Sequence, residues 1–249
     1  MSTTLRNLLY TLSIPSGTNF PQEFSVFNTN TTTVSNGGRC CLWTVPAGST
    51  WIHFEIWGGG GGGGGSCCCM GGRPGGSGAY STFDVFSSTL TGCQYTICAG
   101  GTTGTSNTNE GCVGFTSFVT GFGLSNFCAT GGSAGCTSCN TLQTQTNCCG
   151  LPLCCCAFGG DINDHGQQSQ FISYPSCANS FQQYAMVAAK TVSGPAVGPG
   201  GCITGGFGCG FWFNNTIFPG GGGMSAQAHS GNCWCGMYGA GGLVSVTFG

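Results

Sequence analysis

The sequence predicts an all-β protein, a β-sandwich of jelly-roll type with long, ordered loops rich in glycine and cysteine. Three observations predict this fold: short segments in which apolar and polar residues alternate, glycine tracts between those segments, and only one short segment with helical periodicity. The clearest alternation places apolar Ile52, Phe54 and Ile56 between polar His53 and Glu55. A period of two is typical of a strand with one buried face.

Short apolar segments of this kind recur along the chain and predict further strands. They lie at residues 5–14, 24–27, 79–87, 94–98, 115–120, 125–130 and 239–248. Residues 180–190 are predicted to form the single short helix. No fixed repeat length relates the strand segments, which favours a sandwich over a β-helix.

Eight consecutive glycines, residues 58–65, follow the strand that ends at Trp57, and a second tract occupies residues 220–223. Glycine contributes no side chain to a core and loses much conformational freedom when it is ordered. Two features are candidates for holding the first tract in place: the cysteine triplet that begins at Cys67, and packing of bare backbones against one another. In the second case the tracts would be extended, polyproline II-like segments that exchange hydrogen bonds with their neighbours.

The chain carries very little charge. Only four Lys or Arg and six Asp or Glu occur among 249 residues, and the net charge is -2. A surface so poor in charge predicts a homo-oligomer or a subunit present in many copies within an assembly. Four basic residues make no patch for nucleic acid, and no apolar run is long enough to span a membrane, so neither partner is expected. No signal peptide is recognised at the start, and no cofactor is expected.

Twenty-one cysteines, an odd number, cannot all pair within one chain. They indicate disulfides, some of them between chains, and the pairing cannot be deduced from sequence. Thiolate metal binding remains an alternative, since Cys136 and Cys139 have the spacing of a zinc knuckle. The candidates for either role are Cys67, Cys68, Cys69, Cys136, Cys139, Cys154, Cys155, Cys156, Cys233 and Cys235.

The ionisable residues argue against an enzyme. Asp161, Asp164 and His165 form the only acid and base cluster in the sequence, and a polar turn explains them better than a catalytic site. The glycine tract has neither the helix start nor the Lys-Ser/Thr pair of a phosphate-binding loop.

Aromatic residues in the C-terminal part of the chain are candidates for a binding patch. Phe211, Trp212 and Phe213 are consecutive, and Trp234 and Tyr238 follow. Exposed, these rings would suit contact with a glycan or receptor; the competing interpretation is that they are core residues, as most aromatics are.

Several motifs together suggest a family. They are WTVPAG at 43–48, FEIWGGG at 54–60, GAY at 78–80, YTICAGG at 95–101, FCATGG at 127–132 and GAGGLV at 239–244. This combination resembles the glycine-rich virion structural proteins of tailed bacterial viruses, and its cysteine content is similar to those of contractile-tailed viruses of marine cyanobacteria. The resemblance covers residues 40–249.

The resemblance implies a non-enzymatic protein on the surface of a virion, held by other virion proteins. A tail-fibre or adhesin-type component that contacts the host surface is the first expectation, and a purely architectural or decorating subunit of head or tail is the alternative. Residues 1–39 are then interpreted as a strand-containing docking arm, and residues 40–249 as the glycine-rich β domain.

Overall fold

A computed structural model describes residues 22–27, 39–67, 75–101, 111–135, 155–166, 170–172, 184–187, 202–205, 219–223 and 233–249. Within these ranges the regular structure is entirely β, so the predicted all-β class is confirmed. None of the described segments is a helix with the length and hydropathy to cross a bilayer.

The described ranges contain fifteen strands. They are β1 (Gln22–Phe27), β2 (Arg39–Thr44), β3 (Trp51–Trp57), β4 (Ser66–Cys67), β5 (Tyr80–Phe86), β6 (Gln94–Ala99), β7 (Ser117–Gly121), β8 (Leu124–Ala129), β9 (Ala157–Phe158), β10 (Ile162–Asp164), β11 (Gln170–Ile172), β12 (Tyr184–Val187), β13 (Cys202–Gly205), β14 (Cys233–Trp234) and β15 (Leu243–Phe248).

Two open antiparallel sheets of five strands each form the framework. Sheet 1 has the order β1-β15-β3-β5-β10, and sheet 2 has the order β2-β6-β7-β8-β9. A three-stranded ladder, β11-β12-β13, and a two-stranded ladder, β14-β4, complete the described strands. The strand predicted at 24–27 is confirmed as β1, which pairs with β15 at the edge of sheet 1.

Side chains from both sheets share one apolar core. The period of two in β3 places Ile52, Phe54 and Ile56 in this core, each with no exposed surface, and Val244 and Val246 of β15 join them. Sheet 2 supplies a second set, which comprises Tyr95, Ile97, Val119 and Phe127. The ring centroids of Phe54 and Tyr95 lie 5.2 Å apart, so aromatic packing joins the two sheets.

The helix predicted at residues 180–190 is wrong where the structure describes it. Residues Tyr184–Val187 form β12, which is hydrogen-bonded between β11 and β13. A short apolar run does not reveal its period, and the aromatic Tyr184 and β-branched Val187 suit a strand flanked by partners on both sides. The strand predicted at 5–14 lies outside the described residues.

Candidate functional site

The glycine tract that follows β3 is buried along its whole length by other segments of the chain. Six consecutive backbone N–H groups donate to three different segments in strict rotation, over 2.8 to 3.0 Å. The bonds run from Gly58 to Ala79, Gly59 to Phe115, Gly60 to Ala240, Gly61 to Gly76, Gly62 to Cys112 and Gly63 to Met237. Each partner segment recurs at every third residue, so the tract makes three residues per turn, the repeat of a polyproline II helix. The predicted packing of bare backbones is therefore confirmed.

Two further segments donate to the carbonyl groups of the tract. Gly132 donates to Gly59 over 2.7 Å, and Gly223 donates to Gly61 over 2.8 Å. We call the resulting assembly the glycine bundle: the central residues 58–65 with residues 75–79, 111–115, 130–135, 219–223 and 236–240 around them. Backbone groups of the same chain thus satisfy the N–H groups of residues 58–63 and the carbonyl groups of Gly59 and Gly61.

The bundle continues the registers of the sheets. The pairs that share the register of β3 with β15 are, in order, Trp57 with Leu243, Gly60 with Ala240, Gly63 with Met237 and Ser66 with Trp234. The pairs that share the register of β7 with β8 are Ser117 with Ala129, Gly114 with Gly132 and Gly111 with Gly135. The register of both strand pairs therefore continues unchanged into the bundle. The hydrogen bonds between the paired segments there recur at every third residue.

The three-residue repeat of the glycine tract also brings the two sheets into direct backbone contact. The central tract extends β3 of sheet 1, yet Gly59 and Gly62 donate to Phe115 and Cys112, which precede β7 of sheet 2. Sheets whose facing residues carry side chains pack about 10 Å apart, too far for such bonds. The absence of side chains therefore allows backbone contact between elements that a side-chain core separates elsewhere in the molecule.

Close packing makes glycine necessary at the centre of the bundle. A Cβ atom on any of the first four glycines of the tract would overlap a backbone carbonyl oxygen, which cannot move aside as a flexible side chain can. The overlapped oxygens belong to Thr130 for Gly58, Gly101 for Gly59, Gly221 for Gly60 and Ser133 for Gly61.

A buried serine braces the junction between the sheets and the bundle. Ser117, at the start of β7, has no exposed surface. Its hydroxyl donates to the carbonyl oxygen of Trp57 over 2.5 Å and accepts from the N–H of Gly100 over 2.8 Å. One side chain thus satisfies two backbone groups at the positions where β3 and β6 end and glycine follows.

Replacing Ser117 with alanine is expected to lower the free energy of unfolding by about 1–3 kcal/mol, because two buried backbone groups lose a partner. Urea denaturation measures the change. The matched control is Ser88→Ala, at an exposed position, which should change the free energy by less than about 0.5 kcal/mol. Equal effects of the two substitutions would contradict the bracing role.

Of the aromatic residues proposed as a binding patch, two lie on the described part of the chain. Tyr238, on an outer segment of the bundle, is 46% exposed. Trp234 lies opposite Ser66 in the ladder of β4 and β14. The structure therefore places both on one segment, four residues apart. Phe211, Trp212 and Phe213 lie outside the described residues.

The cysteine candidates are distributed unevenly over the described chain. Cys67 lies directly opposite Cys233 in the ladder of β4 and β14. Cys155 is buried, and Cys156 and Cys235 are half-buried. The remaining candidates, Cys68, Cys69, Cys136, Cys139 and Cys154, lie outside the described residues.

The structure contains a disulfide that the sequence candidates missed. Cys40 of β2 and Cys98 of β6 are direct partners in sheet 2, and their sulfur atoms are bonded. The pairing of β2 with β6 was the signal that could have found it, because that register places the two residues opposite each other. Their separation of 58 residues hides the relationship in the sequence.

The described residues include no group of three or more His, Cys, Asp or Glu arranged to hold a metal ion. Burial raises the pKa of the Cys128 thiol, and burial outweighs the charge of Arg39 to raise that of Cys41. Both thiols are therefore held in the protonated form, which is the wrong form for a metal ligand or a nucleophile.

Three ionisable residues, His53, Asp84 and Asp161, are linked by hydrogen bonds beside sheet 1. His53 Nδ1 lies 2.7 Å from Asp84 Oδ1, and Asp161 accepts from the N–H of Asp84 over 2.8 Å. In the cluster proposed from sequence, Asp164 instead accepts from the N–H of His165 over 2.9 Å. Asp161 and Asp164 thus bond to different parts of the chain.

A half-buried pair of Tyr80 and Glu55 lies where sheet 1 meets the bundle. The hydroxyl of Tyr80 donates to Glu55 over 2.8 Å. Burial, and then the bond to Glu55 and the charge of that carboxylate, raise the pKa of Tyr80 above its usual value. The phenol therefore stays neutral at physiological pH and acts as a hydrogen-bond donor.

The comparisons with known proteins agree with the glycine-based architecture. No curated protein matches the chain. The family described as a glycine-rich domain matches residues 32–249, which include every segment of the glycine bundle and both large sheets except β1. The chain belongs to this glycine-rich domain family.

Proposed function

We propose that the chain is a non-enzymatic structural protein on the surface of a virus particle, where it serves as a tail-fibre or adhesin-type component that contacts the host. The virion assignment rests on the sequence resemblance. The glycine bundle is the observation that carries the functional part, because it makes a rigid support from backbone alone.

The chemistry of the bundle suits support rather than catalysis. Its centre contains no side chain that could accept a proton, attack a substrate or bind a metal ion, and its hydrogen-bonding groups face one another. A rigid support can hold a contact surface in a fixed position at one of its ends. The sheets adjoin one end of the bundle, and we propose that the opposite end carries the contact surface.

Several described ranges end together on the side of the bundle away from the sheets. Gly135 and Gly223 donate to Gly62 and Gly61, over 2.8 Å in each case. A Cβ atom added to Gly75 or Gly111 would overlap the carbonyl oxygen of Gly61 or Gly62, respectively. Four of the described ranges therefore end at one level of the bundle, near the ladder that contains Trp234. We propose that this end faces the host.

We also propose that the two sheets face each other as a β-sandwich with jelly-roll-like connections. Ring contacts between the sheets support the sandwich. The ring centroid of Phe127 in β8 lies 5.7 Å from that of Phe83 in β5 and 6.3 Å from that of Phe54 in β3. The sandwich would then anchor the bundle to other virion proteins.

Competition for adsorption tests the adhesin proposal. The isolated protein, added in excess to host cells, is expected to reduce the adsorption rate of the particle that carries it. Tyr238→Ala should weaken this competition, because it removes an exposed ring from the bundle. The control is Phe122→Ala, which removes a ring that is 51% exposed at the turn between β7 and β8, at the opposite end of sheet 2.

A protein that does not compete, while particles without it still adsorb normally, would overturn the adhesin role. That result would favour the alternative of an architectural or decorating subunit, to which the low charge of the chain also points. Loss of the protein should then weaken the particles. A stoichiometric metal content in the purified protein would instead support thiolate metal binding.

A further inference from the structure

Two cysteines occupy opposite positions at the end of the glycine bundle remote from the sheets. Cys67 of β4 and Cys233 of β14 are direct partners in an antiparallel ladder, next to the pair formed by Ser66 and Trp234. In the sequence they are far apart, and each lies in a cysteine-rich neighbourhood that suggests many pairings. The ladder favours one of these pairings, that of Cys67 with Cys233.

The register that opposes these cysteines is fixed along the whole length of the bundle. It begins with β3 and β15, where Trp57 lies opposite Leu243, and it persists through the bond from Gly63 to Met237. A slip of one residue at Cys67 would break the bonds of the bundle or move the apolar face of β15 out of the core. The opposition of Cys67 and Cys233 therefore follows from the entire fold rather than from a two-residue ladder.

The distance between opposed residues of an antiparallel ladder suits a disulfide. Their Cα atoms are typically about 4.5 or 5.5 Å apart, and disulfides span Cα distances of about 4.4–6.8 Å. The protein already contains a bond of this type, because Cys40 and Cys98 are direct partners of β2 and β6 and are joined. By contrast, the register opposes Cys235 to a residue without a thiol, Gly65.

We propose that Cys67 and Cys233 form a disulfide that closes the end of the glycine bundle. The two thiols lose two protons and two electrons as the sulfur–sulfur bond forms. A small disulfide such as oxidised glutathione takes them up and leaves as two thiols. The bond closes a loop of more than half the chain, and long loops are those whose closure most restricts the unfolded state. It joins the chain that follows the central segment of the bundle to the chain that precedes the outer segment at residues 236–240.

The bond is expected to form in an oxidising medium and to be absent in a reducing one. The hydrogen bonds of the bundle join backbone groups of one chain and involve no sulfur atom. The disulfide would therefore secure a structure that already exists, and this inference does not depend on the proposed virion role.

Peptide mapping tests the pairing. The variant in which Cys68, Cys69 and Cys235 are replaced with serine is equilibrated with oxidised glutathione, alkylated, digested with pepsin and analysed by mass spectrometry without reduction. A peptide containing residue 67 linked to one containing residue 233 is the expected product. Recovery of alkylated Cys67, or of Cys67 linked to a different cysteine, would overturn the proposal.

Stability measurements provide a second readout in the full-length protein. Because dithiothreitol would also reduce the bond between Cys40 and Cys98, the comparison is made among variants under oxidising conditions. Cys67→Ser, Cys233→Ser and the double variant should share one lower midpoint under oxidising conditions, because each removes the same bond. Cys235→Ser, two residues away on the same segment, should keep the midpoint of the parent. Additive losses in the double variant would contradict a shared bond, and the mapping remains decisive if a variant does not fold.

Discussion

Replacing Gly61 with alanine is expected to lower the free energy of unfolding by about 3 kcal/mol or more, the upper range for adding atoms to a close-packed interior. The new Cβ atom would overlap the carbonyl oxygen of Ser133. Gly61 also donates to Gly76 and accepts from Gly223, so a shift that relieves the overlap would lengthen bonds to two other segments. Urea denaturation gives the free energy, and amide hydrogen exchange shows whether the N–H groups of residues 58–63 lose their protection.

Gly92→Ala is the matched control for this substitution. Gly92 has a φ of 79° but has no neighbour within 4 Å of an added Cβ atom. Alanine there should cost about 1 kcal/mol for the left-handed backbone and should leave the protection of the bundle unchanged. Equal destabilisation by the two substitutions would show that backbone conformation, and not close packing, explains the glycines. Rapid exchange throughout residues 58–65 of the parent protein would contradict the bundle itself.

Truncating Phe54 to alanine is expected to cost about 3–5 kcal/mol, the usual range for a large ring removed from a core. Phe54 has no exposed surface. Its ring centroid lies 6.3 Å from that of Trp43, 5.2 Å from that of Tyr95 and 6.3 Å from that of Phe127. These three rings belong to sheet 2, so the substitution removes the central contact between the sheets. Urea denaturation with tryptophan fluorescence measures the loss.

Phe86→Ala provides the control on the neighbouring strand of the same sheet. Phe86 ends β5 and is 75% exposed, so its removal should change the free energy of unfolding by less than about 0.5 kcal/mol. A small effect at Phe54 would mean that the two sheets do not share a core. A large effect at both positions would show that aromatic content, rather than burial between the sheets, determines stability.

The strands were the most predictable part of the fold. The alternation at Ile52, Phe54 and Ile56 and at Val244, Val246 and Phe248 correctly identifies β3 and β15 and their buried faces. Periodicity succeeds here because each strand has one face in the core. It fails at Tyr184–Val187, where four residues are too few to distinguish a strand from a helical turn.

The candidate site was less predictable than the strands. The sequence offers an extended, hydrogen-bonded glycine tract as one of two possibilities, but it does not identify the partners of the tract, because glycine carries no pattern of polarity that identifies a neighbour. Cys40 and Cys98 were missed for a related reason: pairing depends on register, and register depends on strands that lie far apart in the chain.

The sequence alone predicts the β class and the buried faces of the main strands. It also shows the scarcity of charge and the need to hold residues 58–65 in place. The folded chain decides how that need is met: strand pairs from two sheets pass in register into one bundle, where Gly59 and Gly62 bond across to residues that precede β7. The physical reason is that side-chain burial leaves a local signal in the sequence, whereas contact between bare backbones is specified only by the elements that bring them together.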